Sequence, residues 1–500
     1  MKKQRKYGSL SRLLSFVLSV TMLAGLCPQG VSFFGMSLTL PKAEAAQHTL
    51  SNPRIVKDSS MDAGQKVTWD CVYFGSYPQT EVVESGSKEE NALKRMNRYY
   101  VTKYQSVSSN VFATIENASY DVNGDATVGG TKYRRMKAGD ATYHHTSESN
   151  ANMFYNWKDD STYHYFKYEP IKWRVLNRKG NDALLLADIA LDDQKYNTNN
   201  TSVTWETSSM RSWLNGYVAS VNQPKTDYSR KNFINSAFTS TQRNAIKTTN
   251  VANNNNIAYG TAGGNNTSDK VFLLSESEVY NTDTAAGYGF AKDYCTYDEA
   301  RRSRCSTYAY AMGTERCYNT DAEYTKYNGN VWWRLRSPGD NSDCADEVYG
   351  NGWVSEYGYG VISDDGGVRP ALHLNLASTN LYSYAGTVCS DAMKTGESGT
   401  DNPVNPGEPD KPDTPNQPTQ PDKPGTATGT RTEESDVDIE IDGGVDFTIP
   451  ENVPILGGGD VSLDYGTIPV TFKREDNTYR IGIGVQDMNK KDWKIGRAHV

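Results

Sequence analysis

Residues 331–376 read VWWRLRSPGDNSDCADEVYGNGWVSEYGYGVISDDGGVRPALHLNL, and the reading of the fold turns on how this stretch divides. Its ends, WWRLRSPG at 332–339 and GVRPAL at 367–372, carry the apolar residues of buried strands. Between them Asn, Asp, Ser, Tyr and Gly dominate. Gly, Asn and Asp supply tight-turn geometry and Tyr supplies rigid contact area, so this middle predicts short exposed strands and turns. The expectation is a polar aromatic surface held on a frame. Trp333, Arg336 and Arg369 belong to the frame, and Asn341, Asp343, Tyr349, Asn351, Trp353, Tyr357, Tyr359, Asp364 and Asp365 form the contact set. The competing reading is an ordinary polar loop. Trp332 and Trp333 are neighbours, so in a strand they point to opposite faces and one of them enters the core. Arg336 and Arg369 could meet an anionic ligand, but their apolar flanks favour a structural role, satisfying buried carbonyls or a carboxylate.

Working outward, 500 residues exceed one ordinary core, so more than one domain is expected. Lys2, Lys3, Arg5 and Lys6 followed by an apolar run at 13–26 have the form of a signal peptide. A small-x-small site at Ala43-Glu44-Ala45 sets its end at residue 45. The run is too short and too Ser-interrupted for a spanning helix. Residues 1–45 carry six basic and one acidic group, which leaves the remainder near −13 against −8 for the whole chain. That balance argues against nucleic acid and anionic membrane surfaces and suits a secreted or cell-surface protein. Six cysteines follow residue 45, and Cys295, Cys305 and Cys317 are close enough in sequence for a local bridge; reduced, buried thiols are the equal alternative.

The pattern predicts an α+β domain over 47–395. A strand at 72–77 runs into a Pro-containing turn, and 81–168 reads as an insertion packed at one edge, with a helix near 89–100 and short strands at 111–115 and 132–136. IKWRVL at 171–176 and ALLLA at 183–187 form a hairpin whose second strand is buried on both faces. Met210, Trp213, Leu214 and Tyr217 mark one face of a helix, and Thr239–Gln242 and Ser275–Glu278 have capping-box spacing. Residues 290–330 show little periodicity. A Pro-rich linker follows at 396–434. At ~3.1 Å per residue its densest stretch, about twenty-five residues, spans roughly 80 Å. Residues 435–494 predict a small all-β, sandwich-like domain. IGRAHV at 495–500 resembles a translated sequencing adapter and is set aside, with wall attachment expected from segments beyond Val500.

FGSYPQT at 74–80, IKWRVL at 171–176, RSWLN at 211–215, FLLS at 272–275, WRLRSPG at 333–339 and GVRPAL at 367–372 resemble, as an ordered set, the signature blocks of the domain of unknown function numbered 6273. That family is found mostly in exported proteins of anaerobic Gram-positive bacteria. The resemblance implies a C-type-lectin-like fold, with short helices and twisted short-stranded sheets, shared with formylglycine-generating enzymes. Those enzymes hold copper with two nearby late cysteines; only Cys344 lies in the closing block here, so no cofactor is expected. His48, His144, His145, His164 and His373 fall in no metal-binding spacing, and no nucleophile elbow or phosphate loop is present, so neither metal nor catalytic residues are assigned. The expectation is an exported adhesion or ligand-binding module for an extracellular glycan or protein. The alternatives are an extracellular enzyme of the same fold acting on glycans or peptides, and a surface-layer component.

Overall fold

A computed structural model describes residues 48–97, 103–144, 153–157, 159–378 and 380–393. It also describes the backbone of the short paired strands Ser32–Phe33 and Met36–Ser37 and of six strands between 439 and 499. The expected linker at 396–434 lies outside these residues, as does all of the expected signal segment except the two short strands. The chain divides into two compact units, 1–408 and 409–500.

The first unit is mixed α+β, built on two sheets. The strands of the larger sheet, in chain order, are β1 (Arg54–Lys57), β2 (Gln65–Glu84), β3 (Tyr104–Val107), β4 (Asp125–Val128), β5 (Thr131–Met136), β6 (His164–Lys179) and β7 (Asp182–Ala187). The chain then gives β8 (Asp192–Asp193) to the smaller sheet and pairs β9 (Thr249–Val251) with β10 (Thr267–Asp269). Next come β11 (Val271–Phe272), β12 (Trp333–Pro338), β13 (Cys344–Val348), β14 (Val354–Gly360), β15 (Gly367–Val368), β16 (Ala371–Asn375) and β17 (Ser383–Cys389). The larger sheet runs β11-β16-β7-β6-β2-β17, with the others at its margins. The smaller runs β8-β15-β12-β13-β14, antiparallel except for β12 with β15.

The hairpin expected at 171–187 is β6–β7, turned at Gly180, whose φ of +62° suits a residue without a Cβ. β7 is buried on both faces, as its unbroken apolar run requires. The strand-then-turn reading of 72–80 is corrected: β2 continues through Pro78 to Glu84. Its register against β6 shifts between Tyr73 and Ser76 and again between Pro78 and Thr80, and such irregularities accommodate a proline inside a sheet. The strand expected at 111–115 is also corrected. Ser109–Glu116 is a helix whose Ile115 and Phe112 pack on Val82 and Tyr165. Tertiary packing there outweighs the β preference of Val and Ile. The helix expected near 89–100 is Lys88–Asn97. The insertion prolongs β2 and β6 past the core, adding β3 beside β2 and β5 beside β6.

Indoles pin the core to loop carbonyls: Trp173 Nε1 donates to Phe74 O at 2.8 Å and Trp69 Nε1 to Tyr288 O at 2.9 Å. Helix Ser209–Asn215 buries Met210, Trp213 and Leu214, and Ser208 caps it. Thr239–Gln242 and Ser275–Glu278 both form the expected capping boxes. All six cysteines from Cys71 onward are free, including Cys295, Cys305 and Cys317. Among the described residues no helix is long and apolar enough to cross a membrane.

In the second unit Ile439–Ile441 pairs with Val445–Phe447, and Val461–Tyr465, Ile468–Glu475, Thr478–Asp487 and Asp492–His499 make a four-stranded antiparallel meander. The last strand takes in five of the six residues set aside on sequence grounds.

Candidate functional site

The frame of the site is β12. Successive side chains of a strand face opposite ways, so Trp333 goes inward, fully buried, and donates its indole N–H to Arg301 O at 3.0 Å. Trp332 turns to the other side. There its ring meets the Arg334 guanidinium at 4.7 Å and the edge of Tyr359 at 5.8 Å between centroids. Arg334 itself is buried and donates to Tyr359 O, Gly360 O and Ser363 O, at 3.0–3.3 Å. Arg336 donates to Ala252 O and Leu273 O and pairs with Glu278 at 2.5 Å. Arg369 donates to Ala187 O and Asp188 O and lies 5.0 Å from the Trp333 ring. These arginines tie loops to the frame, the structural role that their apolar flanks favoured.

β13 and β14 form the hairpin that presents the aromatic residues. Its turn closes with Tyr349 N–H to Trp353 O and Gly352 N–H to Tyr349 O, both 2.8 Å. Gly352 has φ +91° and packs against the Asp298 backbone, so a side chain there would collide. The pairing slips between Ala345 and Glu347 because β14 carries extra residues around Gly358, at φ +67°. Tyr349, Tyr357 and Tyr359 are exposed, at 43%, 64% and 51%.

A cleft of about 440 Å³ opens beside this hairpin. One wall carries Tyr349, Asn351, Tyr359, Glu347, Trp332 and Asp365, and the other is the arch 315–328 with Glu315, Cys317, Tyr318, Tyr324 and Tyr327. The arch is held by Cys317 N–H to Asn330 O at 2.8 Å and by the bridge of Arg316 to Val331. From Tyr327 a chain of rings leads outward through Tyr297 to Trp353 and Tyr294, with centroids 6.0–6.4 Å apart.

The expected contact set is therefore divided. Tyr349, Asn351, Tyr359 and Asp365 line the cleft, and half-buried Trp353 adjoins it through the ring chain. Tyr357 instead packs at a tilt against Tyr259, with centroids 5.2 Å apart, Asp364 pairs with Lys195 at 3.2 Å, and exposed Asn341 and Asp343 sit between β12 and β13. The nine residues thus divide between the cleft and separate outlying groups. The slip at Gly358 is the physical reason, since it breaks the alternation that would have kept the residues on one face.

The cleft is acidic. Glu347 is only 2% exposed; burial pushes its carboxyl up to about 7, with Arg334 pulling the other way. Burial also pushes Glu315 up to about 7, with Asp365 adding to the rise and the Trp332 indole hydrogen bond opposing it. Asp365 is raised by burial as well, against the pull of Arg334. Oε2 of Glu347 and Oδ1 of Asp365 are buried without a hydrogen-bond partner among the described residues. Tyr349 hydrogen-bonds to the Glu347 carboxyl. Among the described residues no lysine, arginine or histidine lines the cleft. The Cys317 thiol is driven up to about 12 by burial, which makes it a poor nucleophile. No group of three His, Cys, Asp or Glu among the described residues is placed to hold a metal ion. The arrangement can stack flat groups on Tyr and Trp and accept hydrogen bonds or positive charge at its base. The sequence reading missed Glu315, Glu347 and the arch. The available signal was compositional: 318–330 repeats the Tyr, Asn, Asp and Gly content of 340–366.

No curated protein and no solved structure matches this chain. Residues 180–376, from the β6–β7 turn to the end of β16 and including all but one of the cleft's lining residues, match the family model described as domain of unknown function (DUF6273).

Proposed function

We propose that this chain is an exported recognition protein whose first unit, of C-type-lectin-like fold, captures an extracellular glycan or protein ligand in the cleft beside the 349–353 turn. The observation that carries the reading is the combination of exposed Tyr349 and Tyr359 with a buried carboxylate oxygen, Glu347 Oε2, that has no partner among the described residues. Buried polar atoms are nearly always satisfied, so an orphan on a cleft-lining side chain suits a ligand that completes it. The basic and apolar start of the chain supports export to the cell surface or beyond. The full chain, immobilised and exposed to arrays of glycans and peptides, is expected to capture a ligand. Tyr359→Ala and Tyr349→Ala should each weaken capture roughly 3- to 30-fold without lowering the melting temperature. Absence of any captured ligand, or capture indifferent to both changes, rejects the proposal.

One observation favours an enzyme instead: Glu315 and Glu347 both sit near 7, where a carboxyl can donate or accept a proton. That reading requires turnover of the captured ligand, abolished by Glu347→Gln and Glu315→Gln. Capture with the ligand recovered intact leaves recognition alone.

A further inference from the structure

Resting on the recognition reading, we infer that the group selected at the base of the cleft is the cation of a basic side chain, lysine or arginine, carried by a polypeptide ligand. The argument begins with the charge balance. Glu315, Glu347 and Asp365 line the cleft, and Asp193, fully buried with both carboxylate oxygens unpartnered, lies close enough to Asp365 to be raised further by it. Among the described residues Arg334 is the guanidinium that acts on three of these four acids. Arg334 acts on Glu347, Asp365 and Asp193 together, while its two terminal nitrogens are already committed to the carbonyls of Tyr359, Gly360 and Ser363. The fold thus gathers more carboxyl groups than cations here, and Glu347 Oε2 is left buried, without a partner among the described residues, on a side chain that lines the cleft. Burial of uncompensated acids is unfavourable unless a cation arrives to pair with them.

The walls suit the same guest. Tyr327, Trp332, Tyr349 and Tyr359 surround the entry, and aromatic faces attract ammonium and guanidinium groups. A metal ion is poorly served, because no three ligating groups converge among the described residues. Accessibility decides between organic cations. Glu347 is 2% exposed, so charge must reach it on a thin stem past Tyr349 and Tyr359. Lysine and arginine have such a stem. The amino group of a hexosamine is fixed directly to a bulky ring and stops at the mouth.

Binding a cation favours the ionised carboxylates, so capture must release protons. The groups that set this are Glu315, Glu347, Asp365 and Asp364 around the cleft, Asp193 on β8, Arg334 on β12, the Tyr349 hydroxyl and the Cys317 thiol. Glu315 and Glu347 lie near 7, so affinity should rise with pH across neutrality, roughly three- to tenfold between pH 6 and pH 8.

The test titrates the full chain with hexapeptides that differ only at a central lysine, arginine or norleucine, and in parallel with glucosamine. Calorimetry and the change in intrinsic tryptophan fluorescence provide the readouts. The lysine and arginine peptides should bind and the norleucine peptide and glucosamine should not. Glu347→Gln should weaken the lysine peptide about tenfold and reduce its pH dependence, leaving the part set by Glu315. Asp365→Asn, at a more exposed position, should weaken it less and serves if the first variant is poorly folded. Equal binding of the norleucine peptide, preference for glucosamine, or indifference to both substitutions overturns the inference. If basic peptides fail while an array ligand is still captured through Tyr359, the cation is wrong and recognition stands; if no ligand is captured at all, both fall.

Discussion

Arg301, Arg302, Arg334 and Arg369 are all fully buried in the first unit, and each donates to backbone carbonyl oxygens in loops or at the ends of strands. Loops inside a domain carry acceptors that no sheet or helix satisfies, and a guanidinium offers five donors in a fixed plane. Arg302 shows the use: it donates to Asn351 O, Met393 O and Tyr297 O while pairing with Asp62. One side chain thereby fixes the 349–353 turn to two distant segments. Arg369 does the same for the end of β7. Replacing Arg369 with Met should leave Ala187 O and Asp188 O unpaired and lower stability by about 2–4 kcal/mol, with Arg369→Lys recovering only part. Denaturant midpoints of the three proteins check this, and a Met variant as stable as the parent would show that the guanidinium carries no structural load. The roles of Arg336 and Arg369 were legible because their neighbours are strand-like and apolar. Glu347 was not, because Asp346-Glu347 reads as a solvated pair, and only the packing of β13 between β12 and β14 buries both.

The β13–β14 hairpin shows how one backbone irregularity arranges a surface. Gly358 lies at φ +67°, and a Cβ there would stand 2.5 Å from Ala345 O. A residue with a side chain would meet both the left-handed strain and the clash. Gly358→Ala should therefore lower stability by about 1–3 kcal/mol and also reduce ligand capture, since Tyr357 and Tyr359 flank the slip. A thermal melt paired with the capture measurement tests this, and a loss of capture without any loss of stability would mean that Gly358 contacts the ligand instead. Elements with local signals were readable in the chain: the two capping boxes, the β6–β7 hairpin and the buried run of β7 depend on residues within a few positions of one another. Pro78 inside β2 and the helix at Ser109–Glu116 were not readable, because each is settled by partners far away in sequence. The arch over the cleft has neither period nor cap. It is defined by Cys317 meeting Asn330 and Arg316 meeting Val331, so nothing short of the fold reveals it.

Among the described acids of the first unit two opposed groups stand out, and their balance shapes how stability responds to pH. Asp125 and Asp188 are held low by Arg134 and Arg174 against the upward push of burial, and Glu278 is held low by Arg336 in the same way. Their folded pKa values lie below the unfolded ones, so their contribution is present above the ordinary carboxylate range and is lost as pH falls through the folded values. Glu315 and Glu347 are the reverse, raised to about 7 chiefly by burial, and Asp192 is raised to about 6. Between their ordinary values and these raised ones the folded state binds more protons than the unfolded state. Stability must then decline as pH rises through that window and level off above it. The two groups together place the optimum of the first unit near pH 5, below neutrality. Melting temperatures from pH 4 to pH 9 should show the decline on the alkaline side. Glu347→Gln, which removes one titrating group from the raised set, should flatten it by up to about 3 kcal/mol between pH 5 and pH 8. Parallel profiles for the parent and the variant would mean that Glu347 is already ionised in the folded state, and the acidic cleft would then hold less strain for a ligand to relieve.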